Sequence, residues 1–169
     1  MEEKKIKKCV GPIILDEQDR ILLITNKKWK NEEGEDIYVV PGGEIEGNET
    51  EEEALRREIR EELGIEIEIL YRVPGEKTKP IGKDFRPEDR IQMVFIDFFT
   101  KALSKEIKPN PDEVEKFIWD HTAEELLVLQ ENGELKMGNT MKGFLESYIH
   151  WKKENKEKDQ EISHRELRK

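Results

Sequence analysis

Residues 41–65 read PGGEIEGNETEEEALRREIREELGI. Thr50 followed by Glu53 is a capping-box pattern, which predicts a helix starting near Thr50. Gly64 is its natural stop, because glycine tolerates the left-handed conformation that follows a last turn. The helix is then about four turns long. Glu58, Glu61 and Glu62 fall at i, i+3 and i+4, so their carboxylates share one face within a sector of about 100°. Leu55, Ile59 and Leu63 make the neighbouring stripe and are expected to face a core.

Like charges so spaced repel one another. Such a face is either simply solvated or neutralised by a cation. With 41% charged residues in the chain, REIREE taken by itself reads as a salt-laced helix. Its acidic donors are all hard oxygens, with no His or Cys among them, which favours Mg2+ or Mn2+ over zinc. Mg2+ takes one or two carboxylates and leaves other positions to water and phosphate oxygens. Just before the helix, Gly42 and Gly43 allow close backbone approach and a carbonyl turned toward a metal.

Gly43, Glu49, Arg57, Glu58, Glu61, Glu62 and Gly64, with Ile59 and Ile65 at two apolar positions, form the pattern G-x5-E-x7-R-E-apolar-x-E-E-x-G-apolar. In this complete box the chain resembles the Nudix hydrolases. The resemblance covers about residues 5–150 but draws its specificity from residues 38–65. It implies an α/β/α sandwich with a mixed sheet between helices. It also implies metal ligation by the Gly42 carbonyl, Glu58 and Glu62, with Glu61 as a further ligand directly or through water. Glu49, Arg57 and Gly43 take supporting roles, Arg57 projecting away from the three carboxylates and bracing the loop through Glu49. The general base comes either from the box itself, as Glu58 or Glu61, or from a later loop, where Glu113 and Glu115 stand. Glu115 is carried forward as the catalytic acid of that loop.

Outside the box the chain is less specific. Its 169 residues suit one domain with a sizeable core. The net charge of −10 excludes a general nucleic-acid-binding stripe. It leaves a nucleotide open as substrate, since a bound cation inverts the local sign. Cys9 is the only cysteine and reads as a small core residue. MEEKKIKK has no apolar signal core and no apolar run is long enough to span a membrane, so the expected compartment is the cytoplasm.

Apolar patterning predicts strands at Lys7–Leu15, Arg20–Thr25, Ile37–Val40, Ile65–Val73, Arg90–Ala102 and Val114–Trp119. In the fourth, Ile65, Ile67, Ile69 and Tyr71 are expected on one face. Pro74–Glu88, with three prolines, reads as a loop. Helices are predicted from Thr122 to Leu129 and from about Asn139 past Trp151. The expected domain is 5–152, with 153–169 a charged tail that is frayed or disordered.

Together these readings give a divalent-metal-dependent hydrolase of a phosphoanhydride in a nucleoside diphosphate linked to another group. A nucleoside triphosphate or modified triphosphate is preferred. ADP-ribose or a nucleotide sugar is the alternative, and a non-catalytic nucleotide-binding module of the same fold is the reading from a different class. Tyr38, Phe85 and Arg90 are the expected substrate contacts; Arg20, Lys27 and Arg86 are further cations for phosphate, and Trp29 a further aromatic wall. By the same resemblance, a proline about 15 residues past the box goes with ADP-ribose pyrophosphatases, and Pro80 stands 15 after Ile65. Nudix relatives that dimerise make a homodimer an expectation, the strand Phe95–Phe99 suiting a core or an interface equally.

Overall fold

The computed structural model describes residues 6–27, 30, 33–81 and 91–167. Strand β1 (Ile6–Leu15) lies parallel to β6 (Ile91–Ala102), in register from Ile6 opposite Gln92 to Leu15 opposite Lys101. The short β3 (Gly43–Glu44) pairs antiparallel with β1 at Cys9 and Val10. On the far side of β6, β4 (Ile67–Arg72) and β5 (Lys77–Ile81) pair antiparallel with its two halves in succession. A separate ribbon joins β2 (Leu23–Thr25) to β7 (Lys116–Ile118). The helices are α1 (Glu51–Leu63), α2 (Ala123–Glu131) and α3 (Met141–Leu167). No helix among the described residues is long and apolar enough to cross a membrane.

Side chains alternate across the sheet and so build two cores. Val10, Ile14, Ile96 and Phe98 pack with Leu55, Ile59 and Leu63 of α1. Ile13, Leu15 and Phe99 pack on the opposite face with Leu126 of α2 and with Met141, Phe144, Leu145 and Tyr148 of α3. The α3 residues follow the i, i+3, i+4, i+7 stripe of an amphipathic helix. The mixed sheet between helices agrees with the expected α/β/α sandwich.

Four expectations change. The Ile37–Val40 strand survives only as isolated bridges, Ile24 to Val39 and Tyr38 to Met137. The segment Pro74–Glu88 holds β5, which patterning missed because Lys and Pro disguise it. Among the described residues β5 has strand pairing on one side only, the sheet position where proline is tolerated. The register shifts between Ile69 and Tyr71, so the residue alternation breaks there. Ile67 and Ile69 stay with α1, while Tyr71 turns to the other face and stacks on Phe99 and Trp151, 5.8 Å and 5.5 Å between ring centroids. Finally, residues 153–167 are helical rather than frayed. Glu and Lys are strong helix formers, and an i, i+4 pair of His150 with Glu154 at 3.1 Å supports the helix beyond the packed turns.

The box helix begins as predicted. The Thr50 hydroxyl accepts from Glu53 N at 3.1 Å, and the Glu53 carboxylate accepts from Thr50 N at 3.3 Å. Gly64 closes it in the left-handed conformation, φ 66°, its N–H donating to Arg60 O. Upstream, the turn after β1 is built on Asp16, whose Oδ1 accepts from Gln18 N and Arg20 N, both at 2.9 Å, and whose Oδ2 accepts from Arg20 Nε at 2.6 Å. Burial opposes the charge on this carboxylate, but the bonds from Arg20 and Gln18 outweigh it and hold its pKa below the usual value.

Thr50→Ala is expected to destabilise the protein by about 1 kcal/mol, read by urea denaturation at neutral pH. The depressed Asp16 contributes stability that is present above its unfolded pKa and lost as pH falls through the folded one. Asp16→Asn should therefore cost most near pH 7, and its difference from the parent should shrink as pH falls through the lowered folded-state pKa of Asp16. A pH-independent difference would show that packing rather than charge is at work.

Candidate active site

The loop after the box helix fixes the site from behind. Lys108 N donates to Leu63 O and Asn110 N to Glu62 O, both at 2.8 Å, so two of the open carbonyls at the end of α1 are satisfied by this loop. Val114 N then donates to Asn110 O at 2.8 Å, and Val114 packs into the core beneath α1. This zipper brings Glu113 near enough to the box carboxylates for its charge to raise both Glu58 and Glu62. Glu113 Oε2 is buried and, among the described residues, has no hydrogen-bond partner.

Glu58 and Glu62 are 8% and 6% exposed, low values for acidic side chains. Glu62 Oε2 accepts from Gly42 N at 3.2 Å. Burial pushes the Glu62 carboxyl up to about 8, with the neighbouring Glu58 and Glu113 adding to the effect. Burial also raises Glu58, while Arg57 holds it back. Gly42 has φ 143°, and a Cβ there would run into Val10 O, so only glycine fits. A Cβ at Gly43 would overlap the Glu58 carboxylate. The two glycines thus let backbone lie directly on the acidic face.

Arg57 departs from the expectation that it projects away from the carboxylates. It does pair with Glu49 through two bonds, Nε to Oε2 at 2.8 Å and Nη2 to Oε1 at 3.0 Å, and Nη2 also donates to Glu44 O at 3.0 Å. Its Nη1 turns inward, donating to Glu58 Oε1 at 2.9 Å and Glu61 Oε2 at 3.1 Å. Being planar and five-donor, the guanidinium can brace the loop and face the acids at once. Among the described residues no three acidic, His or Cys side chains are already grouped as a metal cage. The donor set nonetheless suits a hard divalent cation: buried oxygens of Glu58 and Glu62, the half-exposed Glu61, and an orphaned oxygen of Glu113.

Of the two later acids, Glu115 is not brought to this cluster. It lies 3.6 Å from Lys30 Nζ, its backbone tied to Thr25 O. Glu113 and Glu115 lie two residues apart, and only the loop docking on α1 decides which of them faces the acids; no sequence signal separates them.

A cavity of about 370 Å³ opens beside the acids. Gly42, Gly43 and Glu62 line it, together with Met93, Phe95 and Phe144. Val39, not Tyr38, contributes its wall; Tyr38 packs with the α3 core because neighbouring residues of an extended chain point to opposite sides. Lys77 and Asp97 also line it and went unnoticed in the sequence. Arg20 is committed to Asp16, and Trp119 to the core, its Nε1 donating to Arg20 O at 3.0 Å. Phe85 and Arg90 lie outside the described residues, as do Trp29 and Arg86. Cys9 is buried at the cavity edge, its thiol pushed up to about 11 by burial.

The family model of the NUDIX domain matches residues 5–144. Nucleoside triphosphatase NudI of Enterobacter sp. (strain 638) is 33% identical over 111 residues, 64% of this chain and 77% of that protein. NudI of Escherichia coli (strain K12 / DH10B) is 36% identical over 87 residues, 48% of this chain and 60% of that protein. Among solved structures, the MutT protein of Methanosarcina mazei Go1 superposes with a TM-score of 0.63 at 20% identity, covering 90% of this chain and 99% of that one. The MutT NUDIX hydrolase of Burkholderia pseudomallei gives 0.51 at 29% identity, covering 69% and 83%. The match over residues 5–144, across both the box and the sheet that carries it, makes this chain a member of the Nudix family of hydrolases.

Proposed function

We propose that this chain hydrolyses a phosphoanhydride bond of a nucleoside triphosphate or modified triphosphate with a divalent cation, Mg2+ or Mn2+. The carrying observation is that the buried carboxylates of Glu58 and Glu62 feel the charge of Glu113, whose Oε2 is orphaned among the described residues, and that Glu62 with Gly42 and Gly43 lines a mainly apolar cavity of about 370 Å³. Its likeness to the nucleoside triphosphatases named NudI supports the choice of substrate class.

In this reading Glu58, Glu62, Glu61 and the Gly42 carbonyl hold the cation. When bound, a cation of this kind offsets charge on phosphate oxygens and lowers the pKa of water. Arg57 and Glu49 hold the glycine loop on α1, keeping the acids in register with the cavity. Glu113 Oε2, without a donor among the described residues, accepts the proton of the attacking water. It replaces Glu115, whose carboxylate is engaged by Lys30. The apolar walls exclude bulk water and stack the base. A hydrolase domain over 5–152, with the remainder of α3 as a helical extension, accommodates all of these residues.

Glu58→Gln and Glu62→Gln are each expected to abolish Mg2+-dependent product release from a panel of NTPs, dNTPs, ADP-ribose and nucleotide sugars, with the fold retained by circular dichroism. Near-normal turnover in both would remove the metal assignment. Glu113→Gln should lower kcat by about 10²–10⁴-fold, whereas Glu115→Gln should stay within a few-fold of the parent. The reverse order would restore Glu115. An absence of turnover by the parent protein across the panel would favour the binding-module reading.

A further inference from the structure

Strand β6 reads IQMVFIDFFTKA, an apolar run interrupted by Asp97. Ile96 and Phe98 face α1, whereas Phe95 and Asp97 line the cavity. Asp97 is 8% exposed. Burying a carboxylate between apolar neighbours is costly unless it is paired and hydrogen-bonded, and a leucine would pack there without that cost. One partner is provided: Asp97 Oδ2 meets Lys77 Nζ at 3.0 Å. Lys77 stands on β5 opposite Phe95, with its ammonium 5.3 Å from the Phe144 ring centroid. Among the described residues Asp97 has no second side-chain partner, although an ionised carboxylate offers about four lone-pair sites. The pair is half complete, and both of its residues line the cavity.

We propose that Asp97, oriented by Lys77, is a specificity-determining residue that accepts a hydrogen bond from an N–H on the edge of the substrate's base. The proposal rests on the nucleotide reading above and deepens it. Lys77 Nζ beside the carboxylate supplies a donor, so the pair presents an acceptor next to a donor. That pattern complements an amino group beside a ring nitrogen, as in cytosine and adenine. It equally complements an imide N–H beside a carbonyl, as in uracil and guanine. Phe95 provides a ring for the base face, which does not discriminate, and leaves the edge to be read by polar groups. A site built to bond an N–H rejects a base that lacks it, because the buried acceptor is then left unpaired.

The test is kcat/KM for ATP, GTP, CTP and UTP with the parent, Asp97→Asn and Asp97→Leu proteins, plus inosine triphosphate and purine riboside triphosphate as edge-altered analogues. The expected result is a drop of about ten- to a hundredfold for the preferred base in Asp97→Leu, with the poorest base changing by less than about threefold, so that discrimination collapses. Asp97→Asn keeps the shape and presents an amide donor, so it should reorder the bases; it is also the variant read if Asp97→Leu does not fold. Equal loss on every nucleotide, or no change on any, would overturn the proposal while leaving the hydrolase reading intact. Failure of the parent protein to turn over any nucleotide would overturn both. The preferred base distinguishes the two edge patterns, because cytosine or adenine requires the amino arm and uracil or guanine the imide arm.

Discussion

The packing of backbone against buried like charge is the constraint on which the rest of this structure depends. Glu58 and Glu62 lie on the face of α1 that Gly42 and Gly43 cover; a side chain at Gly42 would strike backbone, and one at Gly43 would displace the Glu58 carboxylate. The helix must be straight and capped at both ends to keep the acids in register. Thr50 and Gly64 do this, and the Glu113 loop satisfies the carbonyls beyond. The sheet must deliver the glycines to the same place, which β3 does by pairing with β1. Acids so buried disfavour their own charge, as the raised Glu62 records. A fold that keeps them there retains a repulsion that a cation relieves.

Arg57 shows how that repulsion is managed within the protein. One guanidinium contacts Glu49, Glu58, Glu61 and the Glu44 carbonyl, so the loop brace and the acidic face share a cation. A lysine has no planar fork with which to make these contacts together. The brace is therefore electrostatically coupled to the site rather than merely adjacent to it.

What the sequence disclosed follows from the range of the interactions involved. The box helix, its caps and its acidic face depend on contacts within four residues, and all were legible. The two glycines were legible as a need for close approach, though not what they approach. The choice of Glu113 over Glu115 was hidden, because it depends on Asn110 bonding to Glu62 O across a long separation. The switch of Tyr71 to the α3 face was hidden by one register shift, which inverts every later side chain in a period-two pattern. Strand β5 was hidden because its partner, β6, supplies the pairing that its Lys- and Pro-containing sequence does not announce. The helical end of α3 was misread from its charge, although charge with Glu and Lys in abundance is compatible with helix as well as with disorder.

The same division by range separates chemistry from selectivity. The acids of the candidate site come from one helix and one docked loop, both locked by capping bonds and by core packing under Ile59 and Leu63. Other groups lining the cavity come from β5, β6 and α3, elements distant in sequence that meet through sheet pairing and core packing. A change at Asp97 or Lys77 alters the lining without touching a cap, a glycine contact or the Arg57 brace. Selectivity can therefore vary while the hydrolytic machinery stays fixed. That physical independence explains why the box identifies the bond broken and carries no information about the base attached to it.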